Sequence, residues 1–285
     1  MFITFDHIES LLIPCMLAAG LFHEALNLAE QRVRQSRNEY RLESAVMDKI
    51  RLLQKQNMAD ETAYTVNQYI DLVPVRKMKA DELASQGHYP EVVRLIREGI
   101  RVAEQKDDAG TVTDWKDRLL EIYIAMCDRK NTVLYAEDLF YSGNDTVKYY
   151  RILKNETEGK DWPVRLDKLL SGWEDSGYNL AKIYIEEGYW DKLLRLVTER
   201  GLFGLEEYEA YLKPHFPVEL LELFAIEIAA YAERYTGRKH YRYVAHKLRN
   251  LRTYPGGDLV VNKLVNDFIK RYKSRPAMVQ ELSGV

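Results

Sequence analysis

The chain has few of the residues that mark flexible linkers or low-complexity tracts. Its 285 residues include eight prolines and fifteen glycines, and no stretch is rich in serine, glycine and proline together. Apolar residues make up 46% and charged residues 30% of the chain, which is enough to bury a sizeable core. We therefore expect one continuous globular structure rather than domains joined by linkers.

Cysteine is nearly absent. Cys15 and Cys127 both have apolar neighbours in sequence, which predicts buried thiols in a reducing compartment and excludes a disulfide framework.

A long apolar run is also missing at the N-terminus. The run from Leu11 to Ala19 covers nine positions, far fewer than the ~20 that span a bilayer. It follows Asp6 and Glu9, whereas a secretory signal would begin with basic residues. We expect a soluble, cytoplasmic protein without a membrane segment.

Motifs for cofactor or metal chemistry are not found in the sequence. No glycine pattern matches a phosphate-binding loop or a dinucleotide fold. None of the six histidines has another four residues away, the spacing at which a helix presents two imidazoles to one metal. We expect no catalytic residue, metal site, cofactor or small-molecule substrate. One alternative is a hydrolase whose site is assembled from residues that are distant in sequence. That alternative predicts a deep pocket with converging ionisable groups.

A helix-glycine-helix pattern surrounds Gly188 in "LAKIYIEEGYWDKLLRLVTERG", residues 180–201. Apolar residues fall three, four and seven positions before the glycine, and a second set at helical spacing follows it from Trp190. Glycine commonly ends a helix, because it adopts the left-handed conformation without a side-chain clash. The pattern predicts a hairpin of two amphipathic helices.

The same offsets recur at Gly20 and Gly87, where Phe22 and Tyr89 stand two positions beyond the glycine. Glycine-to-glycine distances of 67 and 101 residues lie close to two and three times 34, the length of one tetratricopeptide unit. Units expected near residues 54, 121 and 155 lack the glycine, and "YSGNDTVKYYRIL" at Gly143 is out of register. We therefore expect irregular repeats, with the aromatic residues packed between hairpins.

Helical periodicity also covers 37–55, 60–72, 75–86, 112–127 and 131–141, and prolines separate the segments. About fourteen to sixteen helices of ordinary length would fill the chain. The predicted fold class is all-α, an irregular tetratricopeptide-like superhelix of stacked helical hairpins. The predicted organisation is a single array over 1–285, with an N-terminal half (1–142), central hairpins (143–233) and a basic C-terminal helical cap (234–285).

Basic charge is concentrated near the C-terminus. Residues 234–275 contain twelve lysines and arginines but only two acidic residues, although the whole chain has a net charge of −3. Five tyrosines interleave with these basic residues, a composition that suits stacking on single-stranded nucleic acid. The candidate contacts are Arg238, Lys239, Arg242, Lys247, Arg249 and Lys270. Alternatively, Val244, Ala245, Leu248 and Leu251 face the core and the basic residues simply face solvent.

The Gly-Gly-Asp sequence at 256–258 allows two interpretations. Such glycines could hold an anion at a helix N-terminus, but the pattern more often starts a helix, with Asp258 as the capping residue.

Residues 241–282, "YRYVAHKLRNLRTYPGGDLVVNKLVNDFIKRYKSRPAMVQEL", resemble the end of bacterial SWIM zinc-finger proteins. The matching residues are Tyr241, Ala245, Tyr272, Arg275, Ala277, Glu281 and Leu282. The zinc motif of that family, Cys-x-Cys followed by Cys-x-His, is absent here. The resemblance therefore implies only the family's tetratricopeptide-like accessory region, without zinc ligands.

Together these patterns favour a non-enzymatic helical-repeat scaffold that binds a protein partner. The alternative is a nucleic-acid-associated module that binds through the basic C-terminal segment.

Overall fold

The computed structural model describes residues 5–142, 144–171, 173 and 177–285, and their side chains from residue 12 onward. Within these ranges the chain forms seventeen α-helices and no strand. The helices are α1 (Phe5–Ala18), α2 (Phe22–Gln35), α3 (Glu39–Lys55), α4 (Ala59–Gln68), α5 (Val73–Ser85), α6 (Tyr89–Gln105), α7 (Ala109–Ala125), α8 (Arg129–Ser142), α9 (Thr146–Asn155), α10 (Trp162–Ser171), α11 (Tyr178–Glu187), α12 (Trp190–Thr198), α13 (Gly201–Leu212), α14 (Pro217–Arg234), α15 (Arg238–Leu251), α16 (Gly257–Arg271) and α17 (Pro276–Leu282).

The chain divides into two compact units, Met1–Lys168 and Leu169–Val285. In the first unit, α1, α2 and α3, and then α5, α6, α7 and α8, each pack against the next helix in the chain, and α3 also contacts α5. Short connections make consecutive helices run antiparallel. The predicted all-α class of stacked helical hairpins is confirmed. The organisation as one array with parts 1–142, 143–233 and 234–285 stays a prediction.

The core of the first unit consists of successive clusters. One joins Ile13 to α2 and α3, the next lies among α3, α4 and α5, and a third joins α5, α6 and α7 around Trp115. Helical spacing explains why these faces are buried: in α6, Val92 and Ile96 are four residues apart and both are inaccessible to solvent. Each hairpin thus covers the apolar face of its neighbour.

One turn geometry recurs between helices. At Gly20, Gly87 and Gly188, φ lies between 68° and 77°, and each glycine ends one helix two residues before the next begins. At Gly188 the glycine N–H donates to Ile185 O (3.2 Å), and the next N–H donates to Tyr184 O (2.8 Å), the hydrogen bonds of a Schellman motif.

Three further turns have the same hydrogen bonds without glycine. Asn57, Asp107 and Cys127 occupy the left-handed position, with φ of 54–55°. In the first unit, the turns within the successive hairpins lie at residues 20, 57, 87 and 127, so the repeat length varies from 30 to 40 residues. The expected irregularity is confirmed. Near residue 155 α9 ends without a left-handed residue, and Gly143 lies outside the described residues.

Two details of the sequence interpretation were wrong. Cys15 and Cys127 are exposed, because Cys15 lies on the outer side of α1 and Cys127 occupies a turn. Asp258 does not cap α16, since Gly256 precedes the helix and Asp258 lies within its first turn, where it pairs with Arg252 (2.6 Å).

In the second unit, consecutive helices again pack together from α11 to α17, and α14 also contacts α16 while α15 contacts α17. These helices share one core that extends from Ala181 to Leu282. Val244, Ala245, Leu248 and Leu251 belong to the buried side of α15. No helix in the described part of the chain is both long and apolar enough to cross a bilayer.

Candidate functional site

A groove of about 380 Å³ opens on the first unit, between the start of α3 and the helices α5, α6 and α7. Its lining combines an aromatic and aliphatic floor with a charged rim. The lining residues are Glu39, Tyr40, Glu43, Asp71, Val73, Arg76, Gly99, Val102, Ala103, Lys106, Asp108, Thr111 and Trp115.

The floor depends on the close approach of three residues. Trp115 on α7 and Arg76 on α5 are 1% and 3% exposed, and both lie against Gly99 on α6. A β-carbon at Gly99 would lie 2.9 Å from the Arg76 Cδ and from the Trp115 Cε2. Only glycine therefore leaves room for both side chains at this point of α6.

The Arg76 guanidinium is held at two points although it is buried. It donates to Asp71 Oδ1 (2.7 Å) and to the carbonyl oxygen of Leu95 (3.2 Å). Burial lowers the pKa of Arg76, and Asp71 opposes that shift. A fixed guanidinium gives the groove a rigid edge.

The rim of the groove carries further charges. Lys106 Nζ pairs with Glu39 Oε1 at 2.5 Å. Asp108 accepts hydrogen bonds from the Thr111 N–H (3.0 Å) and hydroxyl (2.6 Å), which cap α7 and lower the pKa of Asp108. The pKa of Glu43 is raised, first by burial and then by the neighbouring Glu39 carboxylate, while Lys106 and a backbone hydrogen bond from Val73 partly oppose the shift.

Tyr40 flanks this charged rim with its side chain 80% exposed. Tyrosine rings of this kind are enriched where proteins bind partners. A fixed floor, a charged rim and an exposed ring make the groove suited to hold a segment of another polypeptide.

The repeat residues predicted from the sequence lie elsewhere. Gly20, Gly87 and Gly188 form turns, and the aromatic residues beyond them begin the next helices. Phe22, Tyr89 and Trp190 are half-buried and pack against core clusters. These residues have structural roles in the hairpins, and none lines the groove.

The predicted basic contacts are mostly engaged within the second unit. Arg238 and Arg242 pair with Glu281 (3.0 and 3.3 Å) and lower its pKa. Lys247 pairs with Glu206 (2.6 Å).

Of the remaining three basic contacts, Arg249 donates to the carbonyl oxygen of Gly284 (3.2 Å). Lys239 and Lys270 are exposed and pair with no acidic side chain in the described residues.

The tyrosines of the basic segment do not form one exposed surface. Tyr241, Tyr254 and Tyr272 are buried in the core, which explains their interleaving with the basic residues. Tyr235 is 38% exposed.

Tyr235 also belongs to a small aromatic cluster in the second unit. Its ring stacks on His240 at 5.2 Å and contacts Tyr231 at 4.5 Å. Tyr231 in turn contacts Tyr243, and its hydroxyl hydrogen-bonds His240 Nδ1 (2.8 Å).

No family model matches the chain, and no curated protein matches it. The resemblance of residues 241–282 to SWIM zinc-finger proteins therefore stays a prediction. Several residues that carry this resemblance, among them Tyr241, Ala245, Tyr272 and Leu282, are buried, so they act in packing α15 to α17.

Within the described residues, no group of three or more histidine, cysteine, aspartate or glutamate side chains is placed to hold a metal ion.

The groove was not predicted from the sequence. Its residues come from α3, α5, α6 and α7 and from the segments that flank them, and only the packing of these helices brings them together. One signal was available: Gly99 interrupts the apolar face of α6, and a glycine within a helix often marks a close approach.

Proposed function

We propose that the chain is a non-enzymatic helical-repeat scaffold that binds a protein partner through the groove around Trp115. The observation that carries the proposal is the preformed groove itself, with a glycine-dependent floor and the exposed Tyr40 at its rim. A rigid site of this kind binds without the entropic cost of ordering its own side chains. Stacked hairpins provide such surfaces in other repeat proteins.

Site-specific photocrosslinking tests this proposal. A benzoylphenylalanine would replace Tyr40 in the full chain expressed in its native cells, and covalent adducts would be identified by mass spectrometry. Tyr64 on α4 provides a matched control, because it is an exposed tyrosine (70%) of the same unit and lies outside the groove. We expect one defined protein adduct at position 40 that is absent at position 64 and is reproduced with the purified partner. No protein adduct at position 40, or equal labelling at both positions, would refute the proposal.

The cellular context of the scaffold is part of the same proposal. The resemblance at residues 241–282 and the two free cysteines support an accessory region of a SWIM zinc-finger-like protein acting in the cytoplasm. A reading frame or neighbouring gene that encodes the Cys-x-Cys and Cys-x-His motif would support this assignment.

A second candidate function is association with nucleic acid. The aromatic cluster of Tyr231, Tyr235, His240 and Tyr243 favours it, because Tyr235 is exposed and Lys239 lies nearby in the sequence without an ion pair in the described part of the chain. If this function is correct, binding to single-stranded DNA should weaken steeply as salt rises. Absence of binding at ~50 mM salt would exclude it.

A further inference from the structure

The charges of the groove are not balanced by contacts within the first unit. Its lining holds four carboxylates and two cations. Arg76 pairs with Asp71, and Lys106 pairs with Glu39. Two carboxylates remain, those of Glu43 and Asp108.

These two carboxylates differ in the hydrogen bonds and ion pairs that they already form. Asp108 accepts two hydrogen bonds from Thr111 and belongs to the cap of α7. Glu43 is half-buried, and the Val73 backbone N–H and the Lys106 ammonium both favour its ionised form, but it forms no ion pair within the described residues. Burying a carboxylate without a counter-ion is unfavourable, so Glu43 is the acidic group of the groove that would gain most from a cation.

A neighbouring groove offers a comparison, because its lining also holds four carboxylates and two cations. It also contacts Trp115, and its lining includes Asp81, Asp114, Asp117 and Glu121. Each of these carboxylates pairs with a lysine or arginine of the chain. The carboxylates of the adjacent groove thus each form an ion pair, two of them with the same Arg118. Glu43 forms none in the described part of the chain, and Lys106, the cation that attracts it, pairs with Glu39.

The surroundings of Glu43 also suit the aliphatic part of a long cationic side chain. Val73, Val102 and Ala103 line the groove together with the Trp115 ring, and Tyr40 stands at its rim. Lysine and arginine commonly lay their methylene stems along such apolar surfaces while the charged end binds an acid.

We infer that the groove binds a lysine or arginine side chain of a partner polypeptide, with Glu43 as its counter-ion. This inference rests on the proposed function, since it names the chemistry by which the same groove would recognise its protein partner. The partner segment is expected to be basic.

The test uses the side chain alone as the probe. N-acetyl-arginine methylamide and N-acetyl-lysine methylamide would be titrated into the full chain while the indole N–H resonance of Trp115 is followed by NMR. Substitution Trp115→Phe assigns that resonance among the four tryptophans. We expect a saturable shift with at least one of the two probes. The citrulline analogue has nearly the shape of arginine without its charge, and we expect it to bind about tenfold more weakly or not at all.

Substitution Glu43→Gln should weaken probe binding about tenfold or more, because it removes a partly buried charge-assisted hydrogen bond. Glu91→Gln is the matched control, since Glu91 is exposed on α6 outside the groove and should leave binding unchanged. Glu43→Gln should keep or raise the melting temperature, because the folded state disfavours the ionised carboxyl. A purely structural role would instead lower the melting temperature.

Three results would overturn the inference: no shift with either cationic probe, equal binding of citrulline, or full binding by the Glu43→Gln variant. If photocrosslinking at Tyr40 still captures a defined partner in that case, the scaffold function holds and only the recognition chemistry is wrong. If both experiments fail, the groove is not the binding site.

Discussion

Substitution Gly99→Ala tests whether the floor of the groove is as tightly packed as its geometry indicates. The added methyl group would lie 2.9 Å from the Arg76 Cδ and the Trp115 Cε2, and 3.1 Å from the Trp115 Nε1. Both neighbours are almost fully buried. Arg76 is also held by Asp71 and by the Leu95 carbonyl, so it cannot swing away without losing hydrogen bonds.

Two opposing effects determine how much Gly99→Ala changes the free energy of unfolding. Replacing glycine by alanine in the interior of a helix stabilises it by about 0.5–1 kcal/mol, because the unfolded chain loses conformational freedom. Overpacking a buried site typically costs about 1–3 kcal/mol. Because two fixed side chains must move, we expect the overpacking cost to exceed the helix gain. The variant should lose about 1 kcal/mol, and Trp115 should shift in the groove.

Hydrogen exchange followed by mass spectrometry is the suitable assay, because it reports α6 and α7 separately from the second unit. A loss of about 1 kcal/mol corresponds to roughly fivefold faster exchange by opening of these helices. Gly110→Ala on α7 is the control, since its methyl group would meet only Asp108 Oδ1, at 3.5 Å. It should be neutral or stabilising by up to about 1 kcal/mol. If Gly99→Ala were equally neutral, the tight floor would be refuted.

Two further pairs of substitutions test the core and the turns by urea unfolding. The Tyr272 hydroxyl is buried without a hydrogen-bond partner in the described residues, so Tyr272→Phe should be neutral or stabilising by up to about 1 kcal/mol. Tyr254→Phe should cost about 1–3 kcal/mol, because that hydroxyl donates to Glu209 at 2.7 Å; equal effects would contradict this reasoning. In the turns, Cys127→Gly should stabilise and Gly87→Ala destabilise by about 1 kcal/mol each, since both positions have positive φ. A destabilising Cys127→Gly would show that side-chain contacts outweigh the backbone preference.

The hairpins could be predicted from the sequence wherever the turn residue is glycine. Gly20, Gly87 and Gly188 signal the left-handed position directly, and helical spacing on either side supplies the rest. Cys127 adopts the same conformation without any such signal, and Asn57 gives a weaker one than glycine, because asparagine is enriched at positive φ but also occurs widely in other conformations. The positions near 54 and 121 therefore looked like degenerate repeats although their backbones form the same turn. These turns share one backbone geometry, which the same hydrogen bonds determine. They differ in the residue that occupies the left-handed position.

The basic segment shows why composition alone did not locate a binding surface. Arg238, Arg242 and Lys247 are close in sequence to exposed lysines, yet acids on other helices pair with them. Which cations stay available depends on which carboxylates the fold places beside them, and that requires knowledge of the packing.

The same reasoning explains why the role of Glu43 could not be predicted, since its neighbours in sequence give no sign that it lacks a counter-ion. Glu43 is a candidate binding group because both cations that line the groove, Lys106 and Arg76, are already paired with other carboxylates. Local charge balance around a groove is therefore the observation that points to a basic partner.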